Sequence, residues 1–194
     1  MREDLSILVV EDNPEKASQI TQALNAAGWS DVHALGQTAR LDQAIKSRQP
    51  DIVLIDLANP DRDTLEHLSQ VSDTKARAVA MFVDHTDPDL TQAALTAGVS
   101  AYVVDGLQMN RIRPVIETAI ARFQIMKQMQ SELDAAKRAL EDRKTIDRAK
   151  GIVMRRRGLS EDDAYKLMRK TAMDQGRKVI DVAQALVTAA DLLS

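Results

Sequence analysis

Cysteine is absent from the 194-residue chain. That excludes a disulfide framework, a thiolate zinc site, an iron–sulfur cluster and a cysteine nucleophile. Histidine is nearly as scarce, and His33, His67 and His85 lack the spacing of a metal site. Aromatic residues make up only 3% of the chain, as Trp29, Phe82, Tyr102, Phe123 and Tyr165. They are too dispersed in sequence for a platform on which successive single-stranded bases stack. Long apolar runs are missing as well. No stretch approaches a membrane span, and the short apolar run between Asp4 and Glu11 does not make the core of a signal peptide. The expectation is a soluble, cytoplasmic protein with no membrane association.

What is present is ordinary globular material, 44% hydrophobic and 28% charged, long enough to bury a core in one large domain or two small ones. The net charge of -3 hides a division. Between Arg143 and Lys178 there are 12 Lys and Arg against 5 Asp and Glu, which leaves 14 against 24 elsewhere. An acidic body therefore carries a basic segment, and the basic part suits an anionic partner.

Short apolar runs alternate with segments of helical period from Leu5 to Val104. The runs are Leu5–Val10, Val32–Leu35, Ile52–Leu57, Ala78–Val83 and Ala101–Val104. Turn and cap residues follow them, including Asn13-Pro14, Asn59-Pro60, Asp87-Pro88 and Asp105-Gly106. Five apolar strands alternating with helices predict an α/β fold with a parallel, flavodoxin-like sheet buried on both faces. After Gly106 the period becomes helical throughout. Ile116, Ala119, Phe123, Met126, Gln130, Leu133, Lys137 and Leu140 recur at spacings of three and four, a heptad seam free of Gly and Pro that predicts a dimerising coiled coil over 112–145. Gly158 reads as a helix C-cap and Ser160-Glu161-Asp162-Asp163 as the capping arrangement of the next helix. Ala164, Leu167, Met168 and Thr171 form its expected core face. Val179, Val182, Ala183, Leu186, Ala190 and Leu193 mark a last amphipathic helix.

Glu11 and Asp12 follow the first predicted strand, and Asp56 closes the third. In a doubly wound sheet these strand ends gather at the ligand site, so three carboxylates should converge there around a cation such as Mg²⁺. Here the sequence resembles the receiver domain of response regulators over roughly 1–124. The segments Leu8-Val9-Val10-Glu11-Asp12-Asn13, Asp51–Leu57 and Ala97–Val104 carry the likeness. The resemblance implies Asp56 as phosphoacceptor, with Glu11, Asp12, Asp56 and the Ala58 carbonyl around Mg²⁺, and Tyr102 as the switch aromatic. Two positions depart from the receiver pattern. Val83 stands where a Thr or Ser closes strand four, and Asp105 where a Lys closes strand five. A carboxylate there would repel a phosphoryl group by about 3 kcal/mol at ~6 Å. The fold signal is thus kept while the phosphoryl-stabilising pair is lost, which predicts a vestigial phosphoacceptor.

Residues 135–194 resemble the ANTAR domain, a three-helix RNA-binding unit. The match runs through Arg148–Glu161, Ala164–Arg169, Thr171-Ala172-Met173 and Val182-Ala183. Receiver, coiled coil and ANTAR unit in that order resemble the AmiR/NasT-type antiterminators, and Tyr102–Leu107 is similar to the members that govern nitrate and nitrite assimilation. The resemblance implies a non-enzymatic regulator that binds leader-RNA hairpins, dimerises through the coiled coil and answers to a NasS-like nitrate/nitrite sensor protein. Lys150, Arg155, Arg156, Arg157, Lys166, Arg169, Lys170, Arg177 and Lys178 are the expected RNA-binding cations, since the apolar helix faces are used by the core. Tyr165, Met154 and Met173 read as core by spacing. Gly151, inside a helix, suggests a close approach of helix or RNA. A DNA-binding two-component response regulator is the alternative, although Val179–Ser194, the helix that would read the major groove, has no Lys or Arg. After residue 124 there is no nucleophile–base pair, metal cluster or Gly-rich phosphate loop, so no enzymatic output is expected.

Overall fold

The computed structural model describes residues 5–36, 40–57, 62–86 and 88–192. The chain divides into two compact units, Met1–Gln128 and Met129–Ser194. Of the predicted features, Ala58, Asn59-Pro60, Asp87 and Leu193 lie outside the described residues.

In the first unit, β1 (Ile7–Val10), β2 (Val32–Leu35), β3 (Ile52–Leu57), β4 (Ala78–Val83) and β5 (Ala101–Val104) alternate with α1 (Pro14–Ala26), α2 (Leu41–Arg48), α3 (Arg62–Ser72) and α4 (Pro88–Thr96). All pairings are parallel, in the order β2-β1-β3-β4-β5. This is the flavodoxin-like order, with its switch between β1 and β3. The three central strands are apolar on both faces because helices cover both. One layer joins Ile7, Val9, Ile52, Leu54 and Phe82 to Ile20 and Leu24 of α1; the other joins Leu8, Val10, Val53, Ile55 and Met81 to Leu41, Leu65 and Leu68.

Helix α5 (Ile112–Arg157) is the longest element. Its first turns belong to the receiver-like core: Ile112, Ile116 and Ala119 are buried there, and Phe123 packs against them. Arg113 lays its guanidinium 5.2 Å from the Trp29 ring centroid and donates to the Ala27 carbonyl. The heptad reading is corrected here. Ile116, Ala119 and Phe123 are core residues of the first unit, because the chain needs a helix to cover β1 and β3 on that face. The free seam begins at Met126. From Gln124 to Lys144 every residue is exposed, including Met126 at 58%, Leu133 at 49% and Leu140 at 55%.

The second unit packs the end of α5 against α6 (Glu161–Asp174) and α7 (Val179–Leu192). Its core is small: Ala149, Val153, Ala164, Met168 and Ala183, flanked by half-buried Leu159, Leu167 and Leu186. Gly158 ends α5 at φ 66°, a left-handed conformation suited to glycine. Ser160 then caps α6, accepting from the Asp163 N–H at 3.2 Å and donating to its carboxylate at 2.7 Å. No described helix is long and apolar enough to cross a membrane.

Candidate functional site

Two candidate sites occupy the two units. The first lies at the carboxyl ends of β1, β3 and β4. Glu11 continues directly from β1 and is buried, its Oε1 receiving the Asn13 N–H at 2.8 Å. Asn13 caps α1, its side chain accepting from the N–H groups of Glu15 and Lys16, with Pro14 at the first helical position. That cap starts the helix so close to the strand end that Lys16 turns back over the sheet. Its Nζ lies 2.9 Å from Asp56 Oδ2 and 3.5 Å from Glu11 Oε2. Asp56 is near the end of β3 with 1% of its side chain exposed. Its Oδ1 has no hydrogen-bond partner among the described residues.

Burial pushes the Asp56 carboxyl above its ordinary value. Lys16 opposes that shift, and Glu11 and Asp84 add to it. Burial disfavours the Lys16 charge, but Asp56, Glu11 and Asp84 together outweigh it and hold the ammonium above its ordinary value. Asp12 is exposed. Asp105 is exposed at φ 71°, and the negative charges that help raise the Asp56 carboxyl are those of Glu11 and Asp84. Val83 is fully buried. Tyr102 is half-buried, with its hydroxyl 3.0 Å from Thr86 Oγ1.

Receiver domains typically bind Mg²⁺ at this acidic site. The donors are chemically suitable, but their arrangement here does not fit the ion. Lys16 lies on one oxygen each of Glu11 and Asp56, Asp12 is exposed, and no three acidic or histidine side chains among the described residues are disposed to hold a metal. Sequence reading overlooked Lys16 and Asp84. A lysine in the first turn of a helix opposes the helix dipole, and that was the available sign of a local anionic partner.

The second candidate site is the basic surface of the three-helix unit. Its cations are not equivalent. Lys150 is only 16% exposed and is held by Asp147 and Glu161, both at 2.7 Å. The hydrogen bond that Lys150 donates to Asp147, followed by the one to Glu161, holds its ammonium above the ordinary value. Lys166 faces Asp162 and Asp163 at 3.8 and 4.0 Å, and Arg177 donates to the Asp181 carbonyl. Lys178 is exposed, its backbone N–H bonded to Asp181. Arg155, Arg156 and Arg157 on the last turn of α5, with Arg169 and Lys170 on α6, are exposed and have no ion pair among the described residues.

Three readings from spacing change. Tyr165 is 41% exposed and Met173 is 71% exposed, because Ala164, Met168 and Ala172 already fill the inner face of α6. With Arg169 they form an outward stripe at i, i+4 and i+8. Met154 is half-buried against the core, as spacing suggested. Gly151 is not a close-packing site: a methyl group there would meet only Arg155 Nη1, at 3.4 Å. An apolar groove lies between α5, α6 and α7, with Ile152, Leu167 and Leu186 in its walls and Arg156 and Arg157 at its rim.

Known proteins place both units in families. The response regulator receiver domain matches residues 7–117 and the ANTAR domain residues 134–187. The transcriptional regulatory protein PdtaR of Mycobacterium tuberculosis is 26% identical over 181 residues, covering 93% of this chain and 88% of that protein. The nitrate regulatory protein of Klebsiella oxytoca is 38% identical over 63 residues, 32% of this chain and 16% of that protein. Among solved structures, the receiver domain of a LuxO repressor from Vibrio parahaemolyticus superposes with TM-score 0.53 at 19% identity, over 65% of this chain and 97% of that one. Its likeness concerns the fold alone. These families are regulatory rather than catalytic. With its parallel receiver sheet, long helix and three-helix basic unit, the chain belongs to the response regulators that join a receiver domain to an ANTAR domain.

Proposed function

We propose that the protein is a cytoplasmic transcription antiterminator that binds leader-RNA hairpins through its ANTAR unit. The observation that carries this reading is that Arg155, Arg156 and Arg157 on α5 and Arg169 and Lys170 on α6 are exposed with no ion pair among the described residues, and that Tyr165 is exposed on the same helix as Arg169 and Lys170. Free guanidinium and ammonium groups bind phosphates, and an exposed tyrosine can stack on an unpaired loop base. Lys166, Arg177 and Lys178 add to the positive field, while Lys150 holds α5 to α6. A DNA-binding output is disfavoured by α7, which has no Lys or Arg to place in a major groove.

The exposed half of the α5 seam pairs two copies, and a dimer presents two RNA sites whose joint occupancy gains from avidity. Likeness to the Klebsiella nitrate regulatory protein supports control of nitrate or nitrite assimilation genes. Because Val83 and Asp105 replace the phosphoryl-stabilising residues, gating falls to a NasS-like nitrate/nitrite sensor protein that masks the RNA-competent form, and Asp56 serves as a vestigial phosphoacceptor.

Hairpin binding measured against salt tests the reading. Arg156→Ala or Arg169→Ala is expected to weaken binding and to reduce the log–log salt slope by roughly 0.7–0.9 for each phosphate that is no longer neutralised. Equal affinity for leader hairpins and unrelated duplex DNA overturns it.

A further inference from the structure

The receiver unit contains a cation of its own where a divalent ion would bind. Asp56 is the most deeply buried carboxylate of the acidic pocket, and an unpaired carboxylate at 1% side-chain exposure would be forced to take up a proton or find a counter-charge. The position at the end of β5 where receivers carry a lysine holds Asp105, which is exposed. Lys16 reaches the pocket from a different element, the first turn of α1, and lies on Asp56 Oδ2 and Glu11 Oε2 together. Asp84 acts on the same ammonium. Asp56 Oδ1 remains buried and without a hydrogen-bond partner among the described residues.

We infer that Lys16 is the resident counter-ion of this pocket, competing with divalent cations for the oxygens of Glu11 and Asp56 and so holding the receiver unit in a single, Mg²⁺-independent electrostatic state. The competition is direct. Mg²⁺ needs its carboxylate oxygens at about 2.0–2.1 Å in a near-octahedral shell. An ammonium 2.9 Å from one of those oxygens and 3.5 Å from the other fills the same space. It is also tethered, so it returns to the carboxylates at a high effective concentration after each excursion. A divalent ion entering the pocket must expel Lys16 into solvent across the start of α1, and no third acidic or histidine side chain among the described residues is grouped with Glu11 and Asp56 to hold it. Removing the ammonium leaves Glu11, Asp56 and Asp84 together without a cation. That charge cluster should destabilise the apo fold and draw in a divalent ion. The inference concerns the receiver unit and stands apart from the RNA-binding reading.

The test uses the full-length protein, with Mn²⁺ as the probe. Binding is followed by the paramagnetic signal of free Mn²⁺, and thermal melts are recorded in chelator and in millimolar Mg²⁺ or Mn²⁺. The unaltered protein is expected to show no Mn²⁺ site tighter than millimolar and no divalent-dependent rise in melting temperature. Lys16→Met should melt earlier in chelator, recover with either ion, and bind Mn²⁺ about tenfold or more tightly than the unaltered protein. Lys16→Arg, which keeps the charge, should remain insensitive. A micromolar Mn²⁺ site in the unaltered protein that disappears in Asp56→Asn overturns the inference, and this measurement stands even if Lys16→Met does not fold. A folded Lys16→Met variant with unchanged Mn²⁺ affinity also overturns it, as does a gain in Lys16→Arg equal to that in Lys16→Met.

Discussion

Lys150 near the end of α5 donates a hydrogen bond to Glu161 at the start of α6, Nζ to Oε1 at 2.7 Å. The same ammonium lies 2.7 Å from Asp147 one turn back on α5. A lysine that sequence alone assigns to RNA is therefore committed to joining two helices of its own unit. Lys150→Met is expected to lower the melting temperature of the ANTAR unit while leaving its hairpin salt slope unchanged. Arg156→Ala should do the reverse. Paired melts and salt titrations of the two variants separate a structural cation from an RNA-facing one, and a loss of slope in Lys150→Met equal to that in Arg156→Ala contradicts the assignment.

Gly151 offers a second separation. It sits within α5, and a methyl group there would meet only the flexible end of Arg155. Replacing an interior helix glycine by alanine favours the helix by about 0.5–1 kcal/mol when nothing is displaced. Gly151→Ala should therefore stabilise the unit in denaturant melts. If hairpin affinity falls in the same variant, the bare backbone is where RNA comes close.

Much of the fold was legible because the strong signals were local and repeated. Five apolar runs with caps between them need a two-sided parallel sheet, and Ser160 with Asp163 caps α6 as its spacing implied. The seam along α5 was legible as a period but not as an assignment. The pattern of three and four is the same whether Ile116 and Ala119 meet a sheet or another helix, and only the tertiary arrangement shows that they meet the sheet. The acidic pocket was half legible. Glu11 and Asp56 announce themselves at strand ends, whereas Lys16 depends on how tightly Asn13 and Pro14 turn the chain into α1. Tyr165 was misplaced because α6 has a narrow inner face, filled by Ala164, Met168 and Ala172.

That narrow core makes the ANTAR unit sensitive at one position. Met168 is 1% exposed and is the largest fully buried side chain among Ala149, Val153, Ala164 and Ala183. Small neighbours cannot close over the space a truncation leaves, so Met168→Ala should cost roughly 2–5 kcal/mol. The loss should appear as an early transition in far-ultraviolet melts. Hairpin binding should disappear at that transition, with near-normal binding below it.

The exposed stretch of α5 is an apolar surface that bears on assembly. Met126, Met129, Leu133 and Leu140 are each 49–60% exposed, on a helix whose residues from 124 to 144 touch no core in either unit. Isolated helices gain little from propensity alone, and an apolar stripe in water favours a partner stripe. Gln130 and Lys137 interrupt that stripe, which weakens pairing relative to an all-apolar seam and leaves the assembly open to exchange with another protein. Leu133→Glu places a like charge on both chains of a dimer at the centre of the seam. Sedimentation should then shift from dimer to monomer at micromolar concentration, while the melting of the receiver unit, whose core ends at Phe123, stays unchanged. Binding to a single hairpin should persist in the monomer, and binding to a leader that carries two hairpins should lose its avidity. An unaltered protein that sediments as a monomer at the same concentration rules out self-pairing through this seam.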